Sequence, residues 1–440
     1  MTTLPHGGLA LSALEEQLLQ PGVKGLPITD PLRQGAIGLQ GWNVLHGDTS
    51  FPVALLKTSA LKHNLDWMRR FCERHGATLA PHGKTTMSPQ LFGAQLANGA
   101  WGITLATATQ VQVAHRFGVR RVLLANQLVA RADTNAVLQL MHEDPDFDCY
   151  VLADSLAGVE RLAEAVERHP LARKLPVLVE LGLPGKRAGC RTLDEAMTVA
   201  RAVQGAPGLQ LAGFEGYEGL LVSGERERDA REVSEFVGRI VALVRESDDE
   251  GLFGMPEILL SAGGSAYFDL VARGFAGVGK LSRPVRAVLR SGCYLTSDHG
   301  SYKRLLAQLN LREDIPARDA LRPALEVWSV VQSRPEPTLA ILTMGKRDAS
   351  YDDGLPVPLV HHRPGPGTPA ALPDGCEIFK MNDQHAYLRL PDGDPLCDTL
   401  AVGDLVGCGI SHPCTTFDKW PLLLAVDDDY VVRFALNTFF

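Results

Sequence analysis

The sequence predicts a (β/α)8 barrel of the TIM type joined to a second, mainly antiparallel β domain. Three observations carry this. Between about residue 50 and 270, short β-branched runs alternate with amphipathic stretches in eight successive β–α units. After about residue 285, strand-like runs are separated by Pro/Gly/Asp clusters such as RPGPGTPAALPDG and PDGDPLCD, the texture of antiparallel sheet. Finally, the residues with chemical character fall just past the ends of the barrel strands, where such a barrel carries its site.

The first strand expected is 53–57 (VALLK), followed by a helix that places Leu61, Leu65, Met68, Phe71 and Cys72 on one face. Next come strand 78–80 with helix 90–96, strand 103–105 with a helix around 111–117, and strand 121–124 with a helix over 135–141. The fifth unit pairs 149–153 with 157–168, and the sixth pairs 177–181 with 193–203. The seventh pairs 209–213 with a long helix whose apolar stripe is Val233, Phe236, Val237, Ile240, Val241 and Val244. The eighth strand, 258–260, leads to a short helix near 267–271. Alternation alone also fits a doubly wound open sheet; the count of eight and the site positions favour the barrel. Further strands are expected over 324–332, 338–343, 377–380, 386–390, 405–409 and 430–434. The expected organisation is a barrel over 50–285, with 1–49 joining 286–440 in the β domain.

Composition narrows the function. At 440 residues, 45% hydrophobic and 21% charged, the chain has ample material for a core, which excludes wholesale disorder. Lys and Arg number 43 against 51 Asp and Glu, a formal charge of −8, and no basic cluster is visible. Such a surface repels phosphate backbones and anionic lipid, so neither nucleic acid nor membrane is an expected partner. The start, MTTLPHGGLALSALEEQLL, carries glutamates where a signal peptide is apolar. The eight cysteines are scattered, which suggests reduced thiols in a cytoplasmic protein.

At the strand ends, Pro81-His82-Gly83-Lys84-Thr85 follows the second expected strand and Ser261-Ala262-Gly263-Gly264-Ser265 the eighth. A Gly-Gly-Ser turn opening a helix suits phosphate, because its amides can point inward and the helix N-terminus favours an anion. Glycines are also common at plain turns. A partly desolvated lysine forms Schiff bases with aldehydes, although an isolated lysine at a strand end more often reaches for water. A Schiff-base lysine facing a phosphate turn is the pair that pyridoxal phosphate requires. Arg187 is then available for the ring's phenolate oxygen and Tyr217 for its nitrogen.

These motifs resemble the fold-type III pyridoxal-phosphate enzymes, specifically the D-serine dehydratase and D-threonine aldolase group with its alanine racemase-type barrel. Pro81, His82, Lys84 and Thr85 match the group's cofactor-lysine segment, and Arg187 with Gly189 its Arg-x-Gly. Gly213, Tyr217 and Gly219 match a Gly-x-x-x-Tyr-x-Gly. Ser261, Gly263, Gly264 and Ser265 match the phosphate turn, and His412 with Cys414 the metal pair near the end. Five motifs in order cover residue 50 to the C-terminus. On a strand, positions 412 and 414 point to one side, and imidazole plus thiolate suits Zn²⁺. Cys408 is a spare ligand or a decoy. Thr-Thr-Met-Ser-Pro after the lysine and Gly-Ile-Ser before the metal pair depart from typical members and suggest a differently shaped substrate pocket.

The resemblance implies a homodimeric, cytoplasmic lyase using pyridoxal 5'-phosphate and a divalent metal on a small D-amino acid. Its first expectation is dehydration of a D-β-hydroxy amino acid, D-serine foremost, to an oxo acid and ammonia, with Lys84 as catalytic base. Retro-aldol cleavage to glycine and an aldehyde uses the same parts, and His-x-Cys in place of His-x-Asp favours dehydration. A racemase, a non-catalytic pyridoxal-phosphate carrier and a phosphosugar barrel enzyme are the remaining alternatives. The sequence leaves His82, Asp298 and His385 open between lining the pocket and purely structural roles.

Overall fold

The computed structural model describes residues 4–440. Val53–Lys57 (β1) does not open the barrel as the alternation predicts; it belongs to the second domain's sheet. The reason is that both of its faces are apolar. Val53 and Leu55 enter a core formed with the N-terminal segment, whereas Ala54 and Leu56 enter the large core that continues under the barrel helices. A run buried on both faces reads the same in either kind of sheet.

Eight parallel strands follow: Thr78–Leu79 (β2), Ile103–Leu105 (β3), Arg121–Gln127 (β4), Asp148–Ala153 (β5), Leu175–Leu181 (β6), Leu209–Gly216 (β7), Ile258–Ala262 (β8) and Val285–Leu289 (β9). They are hydrogen-bonded in the order β2-β9-β8-β7-β6-β5-β4-β3. The ends meet where Trp101 donates to the Leu79 carbonyl (2.7 Å), Thr104 donates to Pro81 (2.9 Å), and His82 bridges Thr104. The barrel is therefore closed. Its eighth strand is β9, which periodicity misses because Val285, Arg286 and Ala287 are only half-buried. The Gly-Gly-Ser turn thus follows the seventh barrel strand, and a further loop, 290–300, follows the eighth.

Period-two alternation divides the strand residues between two cores. Ala80, Leu123, Tyr150, Leu152, Leu178, Ala212, Leu259 and Val288 fill the barrel interior. Val122, Leu124, Val151, Val177, Val179 and Leu260 face outward beneath the helices. In the helix Thr58–His75 the expected Leu61, Leu65, Met68, Phe71 and Cys72 are all buried, and in Arg226–Asp249 so is the whole predicted stripe.

The second domain is built on Leu325–Glu336 (β10), which pairs antiparallel with β1, with Leu339–Leu342 (β11) and with the later strand Leu405–Gly409. Val357–His362 (β12) lies beyond that later strand, while Glu377–Met381 (β13) and Ala386–Arg389 (β14) extend the sheet past β11. Leu405–Gly409 (β15), Leu422–Val426 (β16) and Val432–Asn437 (β17) complete it, with β16 parallel to β1. The sequence reading does not include β12 or β16. Leu19, Leu26, Ile37, Val44 and Leu45 of the N-terminal segment pack on this domain against Trp328, Leu405 and Leu422. No helix among the described residues is long and apolar enough to cross a membrane.

Because β1 joins two cores, Leu55→Ala and Leu56→Ala are each expected to cost about 2–5 kcal/mol, the range for emptying a buried leucine site. Urea unfolding followed by circular dichroism measures this. Losses under about 1 kcal/mol at both positions, the level of an ordinary surface change, would show that β1 does not knit the cores.

Candidate active site

A cavity of about 440 Å³ opens at the C-terminal ends of the barrel strands. After β2 a tight turn, Gly83–Thr85, turns Lys84 into it. No hydrogen-bond or ion-pair partner meets the Lys84 ammonium among the described residues. The loop after β6 brings Arg187, the end of β7 brings Glu215 and Tyr217, the turn after β8 brings Gly264, and the loop after β9 brings Arg290 and Cys293. His412 and Cys414 reach the same cavity from the second domain. Gly292 makes this convergence possible: a β-carbon there would sit 2.4 Å from the His82 carbonyl oxygen and 2.7 Å from Thr85 Oγ1.

The charged groups are arranged without a net counter-ion for Lys84. Arg290 pairs with Glu215 at 2.7 Å and donates to the Gly216 carbonyl at 2.7 Å. Burial pushes the Glu215 carboxyl up to about 8 in spite of that guanidinium. Glu180 is likewise raised by burial, although Gln127 donates to it. Burial first, and then the charges of Lys84, Arg290 and Arg187, hold His82 well below the usual histidine value, so its imidazole is neutral. The Arg187 guanidinium lies 4.7 Å over the Tyr217 ring, and burial pushes the Tyr217 phenol up to about 12. A tightly fitted ring explains why residue 264 is glycine: a β-carbon there would come within 3.0 Å of Tyr217.

The Gly-Gly-Ser turn differs in detail from the expectation of inward-pointing amides. The Gly263 amide donates to Glu218 at 2.9 Å, and the Ser265 amide and hydroxyl donate to the same carboxylate at 3.2 and 2.6 Å. Ser261 Oγ is buried and donates to the Val288 carbonyl at 3.2 Å. Gly264 alone of the four faces the cavity. The donors of the turn do converge on an oxyanion, as a phosphate seat requires, and here the oxyanion is Glu218.

The expected metal pair is brought together differently from the prediction. His412 and Cys414 lie past the end of β15, on a turn entering the short helix Cys414–Phe417, not on a strand. His412 Nδ1 donates to Asp352 at 2.8 Å, and Cys414 Sγ lies 3.7 Å from Cys293 Sγ and 3.4 Å from Thr85 Oγ1. Hydrogen bonding to Cys414, helped by Asp352, raises His412 to about 9 against the effect of burial. Cys414 is held well below the usual thiol value by the hydrogen bond from Cys293, with His412 and Thr85 adding to it. Cys293 is correspondingly raised, so its S–H is the donor. Among the described residues no three His, Cys, Asp or Glu side chains form a ready metal cage. The donor chemistry of imidazole beside thiolate nonetheless fits a zinc-like ion, with Asp352 as the carboxylate that orients the histidine.

Of the residues left open by the sequence, His82 lines the cavity, whereas Asp298 and His385 do not. Asp298 accepts the amides of Gly300, Tyr302 and Lys303 at the start of the helix Ser301–Arg312. His385 sits in the hairpin between β13 and β14, where its carbonyl accepts the Asn382 amide. Cys408 is buried within β15. Sequence reasoning misses Arg290, Glu215, Cys293 and Asp352. Recognising β9 as a strand would have flagged Arg290 and Cys293 as strand-end residues; Asp352 has no local signal.

Two family models match the chain: the alanine racemase N-terminal domain over residues 56–266, and one described as "Putative serine dehydratase domain" over 324–426. The D-threonine aldolase of an Arthrobacter species is 26% identical over 383 residues, covering 86% of this chain and 90% of that one. The solved structure of D-threonine aldolase from Filomicrobium marinum superposes with a TM-score of 0.73 at 23% identity, over 90% of this chain and 96% of that one. D-threo-3-hydroxyaspartate dehydratase from Delftia sp. HT23 superposes with a TM-score of 0.68 at 20% identity, over 90% and 99%. Structures of that dehydratase include a Cys→Ala mutant in a metal-free form and a His→Ala mutant.

In metal-free protein the His412 cation favours the Cys414 thiolate. Removing it in His412→Gln is expected to move the pH of half-maximal Cys414 alkylation upward by about one to three units, the effect of a lost opposite charge at close range. Iodoacetamide labelling across pH, read by mass spectrometry, measures the shift. An unmoved profile would show that the imidazole does not hold the thiolate.

Proposed function

Because the chain belongs to the D-serine dehydratase and D-threonine aldolase group of fold-type III pyridoxal-phosphate enzymes, we propose that it is a lyase that dehydrates a D-β-hydroxy amino acid, with D-serine as the first substrate. One water leaves the substrate and one returns on hydrolysis, so D-serine yields an oxo acid and ammonia. The observation that carries this reading is a single cavity lined both by Lys84, without a partner among the described residues, and by His412 and Cys414.

Pyridoxal phosphate supplies an aldehyde for the lysine amine and a ring that accepts electron density from the α-carbon. Lys84 is the residue to hold it and, once its amine is free, to take the α-proton onto Nζ. Arg187 is placed to hold the ring's phenolate oxygen and neutral Tyr217 to hydrogen-bond its nitrogen. The phosphate seat is the turn of Ser261, Gly263, Gly264 and Ser265, where Gly264 faces the cavity and the donors of Gly263 and Ser265 are shared with Glu218. His412 and Cys414 are the residues to hold a divalent ion, zinc by donor type, which offers Lewis acidity to the β-hydroxyl. Neutral His82 and the Arg290–Glu215 contact line the same cavity.

His-x-Cys favours dehydration, in keeping with the paired His and Cys mutants made in D-threo-3-hydroxyaspartate dehydratase, one of them metal-free. A specific observation favours the second reading, retro-aldol cleavage: the D-threonine aldolase relative is matched over 90% of its own length.

Purified protein loaded with pyridoxal phosphate and incubated with D-serine and with D-threonine is expected to release oxo acid and ammonia. Glycine with an aldehyde as the main products overturns dehydration in favour of cleavage. Lys84→Ala is expected to lose the visible band of the lysine-bound cofactor and about 10²–10⁴-fold or more in rate, the share of a positioned proton-transfer group. An unchanged spectrum in that variant removes Lys84 from the mechanism.

A further inference from the structure

The loop after the eighth barrel strand places a second thiol beside the metal pair, and we propose that Cys293 is a third protein ligand, so that the ion is held by His412, Cys414 and Cys293. This rests on the reading of His412 and Cys414 as metal-holding residues and goes beyond it. Cys293 reaches the cavity from the barrel, whereas His412 and Cys414 come from the second domain. The ion would therefore bind across the two.

Three observations support the assignment. Cys293 and Cys414 lie with their sulfurs 3.7 Å apart. Two thiolates at about 2.3 Å from one tetrahedral ion are separated by about 3.8 Å, so the pair already has that edge length; a disulfide would need about 2.0 Å. Second, these side chains are hydrogen-bonded in two adjoining pairs, Asp352 with His412 and Cys414 with Cys293. As they stand they are linked by protons, not gathered about a point, and an ion bound by His412, Cys414 and Cys293 displaces the proton between the sulfurs. Third, Asp352 occupies Nδ1 of His412, which leaves Nε2 as the ligating atom in a carboxylate–imidazole–metal arrangement. Apart from Cys414, the hydrogen-bond contact of the Cys293 sulfur among the described residues is the long one to Thr85 Oγ1, at 4.0 Å, while its body packs on the edge of the main core. Three protein ligands leave one position of a tetrahedral site open, the arrangement of catalytic zinc.

The test uses full-length protein, stripped of metal and kept reduced, titrated with Co(II) and then competed with Zn(II). Wild type is expected to show a thiolate-to-cobalt charge-transfer band. Cys293→Ser is expected to keep about half of that intensity, one thiolate remaining of two, and to weaken zinc binding by roughly 10-fold or more, at least the cost of disturbing a metal's supporting shell. Cys293→Ala, checked by circular dichroism, gives the same result without a hydroxyl that could ligate. Cys376→Ser, a half-buried thiol outside the cavity, is expected to retain the full band. Equal bands and affinities in wild type and both Cys293 variants overturn the proposal while leaving the two-residue site standing. A wild type with no charge-transfer band overturns both.

Discussion

The site depends on the contact between two turns that belong to different domains. One is Gly83–Thr85, which carries Lys84; the other carries Cys414. Thr85 Oγ1 lies 3.4 Å from Cys414 Sγ, so the residue next to Lys84 touches the second domain's thiolate. The contact is secured from both sides. The Phe439 amide donates to the Met87 carbonyl at 2.9 Å, and the His299 amide donates to Ile410 at 3.0 Å. Moving either turn by a residue would separate the amine from the Cys414 sulfur, and chemistry between them needs placement well within an ångström.

Holding these groups costs stability. Glu215, Glu218 and Arg290 are almost wholly buried, and a buried charge is expensive unless it is paired and hydrogen-bonded. The structure meets that condition unevenly. Glu218 has three donors, Arg290 has a carboxylate and a carbonyl, while Glu215 relies on Arg290 and is driven toward its neutral form. Lys84 has no partner among the described residues. Buried polar atoms without partners also occur far from the cavity, at Gln34, Thr49 and Ser329 among others, so what sets the site apart is that its short-partnered groups are charged and share one cavity.

How far the sequence discloses this follows from how local each signal is. The long helix Arg226–Asp249 is legible because six apolar residues recur at helical spacing and all six are buried. Lys84, Arg187 and Tyr217 are legible because each sits in a short motif at a strand end, and all three line one cavity. β1 misleads because VALLK is apolar on both faces, and nothing local says which sheet it joins. β9 escapes because its first three residues are half-buried, and with it go Arg290 and Cys293. The expected strand geometry at 412 and 414 fails at Pro413, whose helical backbone opens the short helix and gathers the two side chains by a turn instead. Asp352 lies 60 residues from His412 in sequence, so only the fold could pair them.

The Gly-Gly-Ser turn shows most clearly how a motif can be right in kind and incomplete in detail. Its glycines and serine do present donors that converge on an oxyanion, and Gly263 adopts the left-handed φ of +79° that such a turn needs. The occupant is a carboxylate of the same chain, from the residue next to Tyr217. A phosphate and a carboxylate ask the same thing of two amides and a hydroxyl, so seating a phosphate on these donors is an exchange with Glu218, not a simple addition. The phosphate gains what Glu218 gives up, and the buried Glu218 must find new partners. The net affinity of the seat is then a difference between two similar terms. That difference is set by the segment joining Tyr217 to Leu221, whose first residue lies in the cavity and whose second braces the turn.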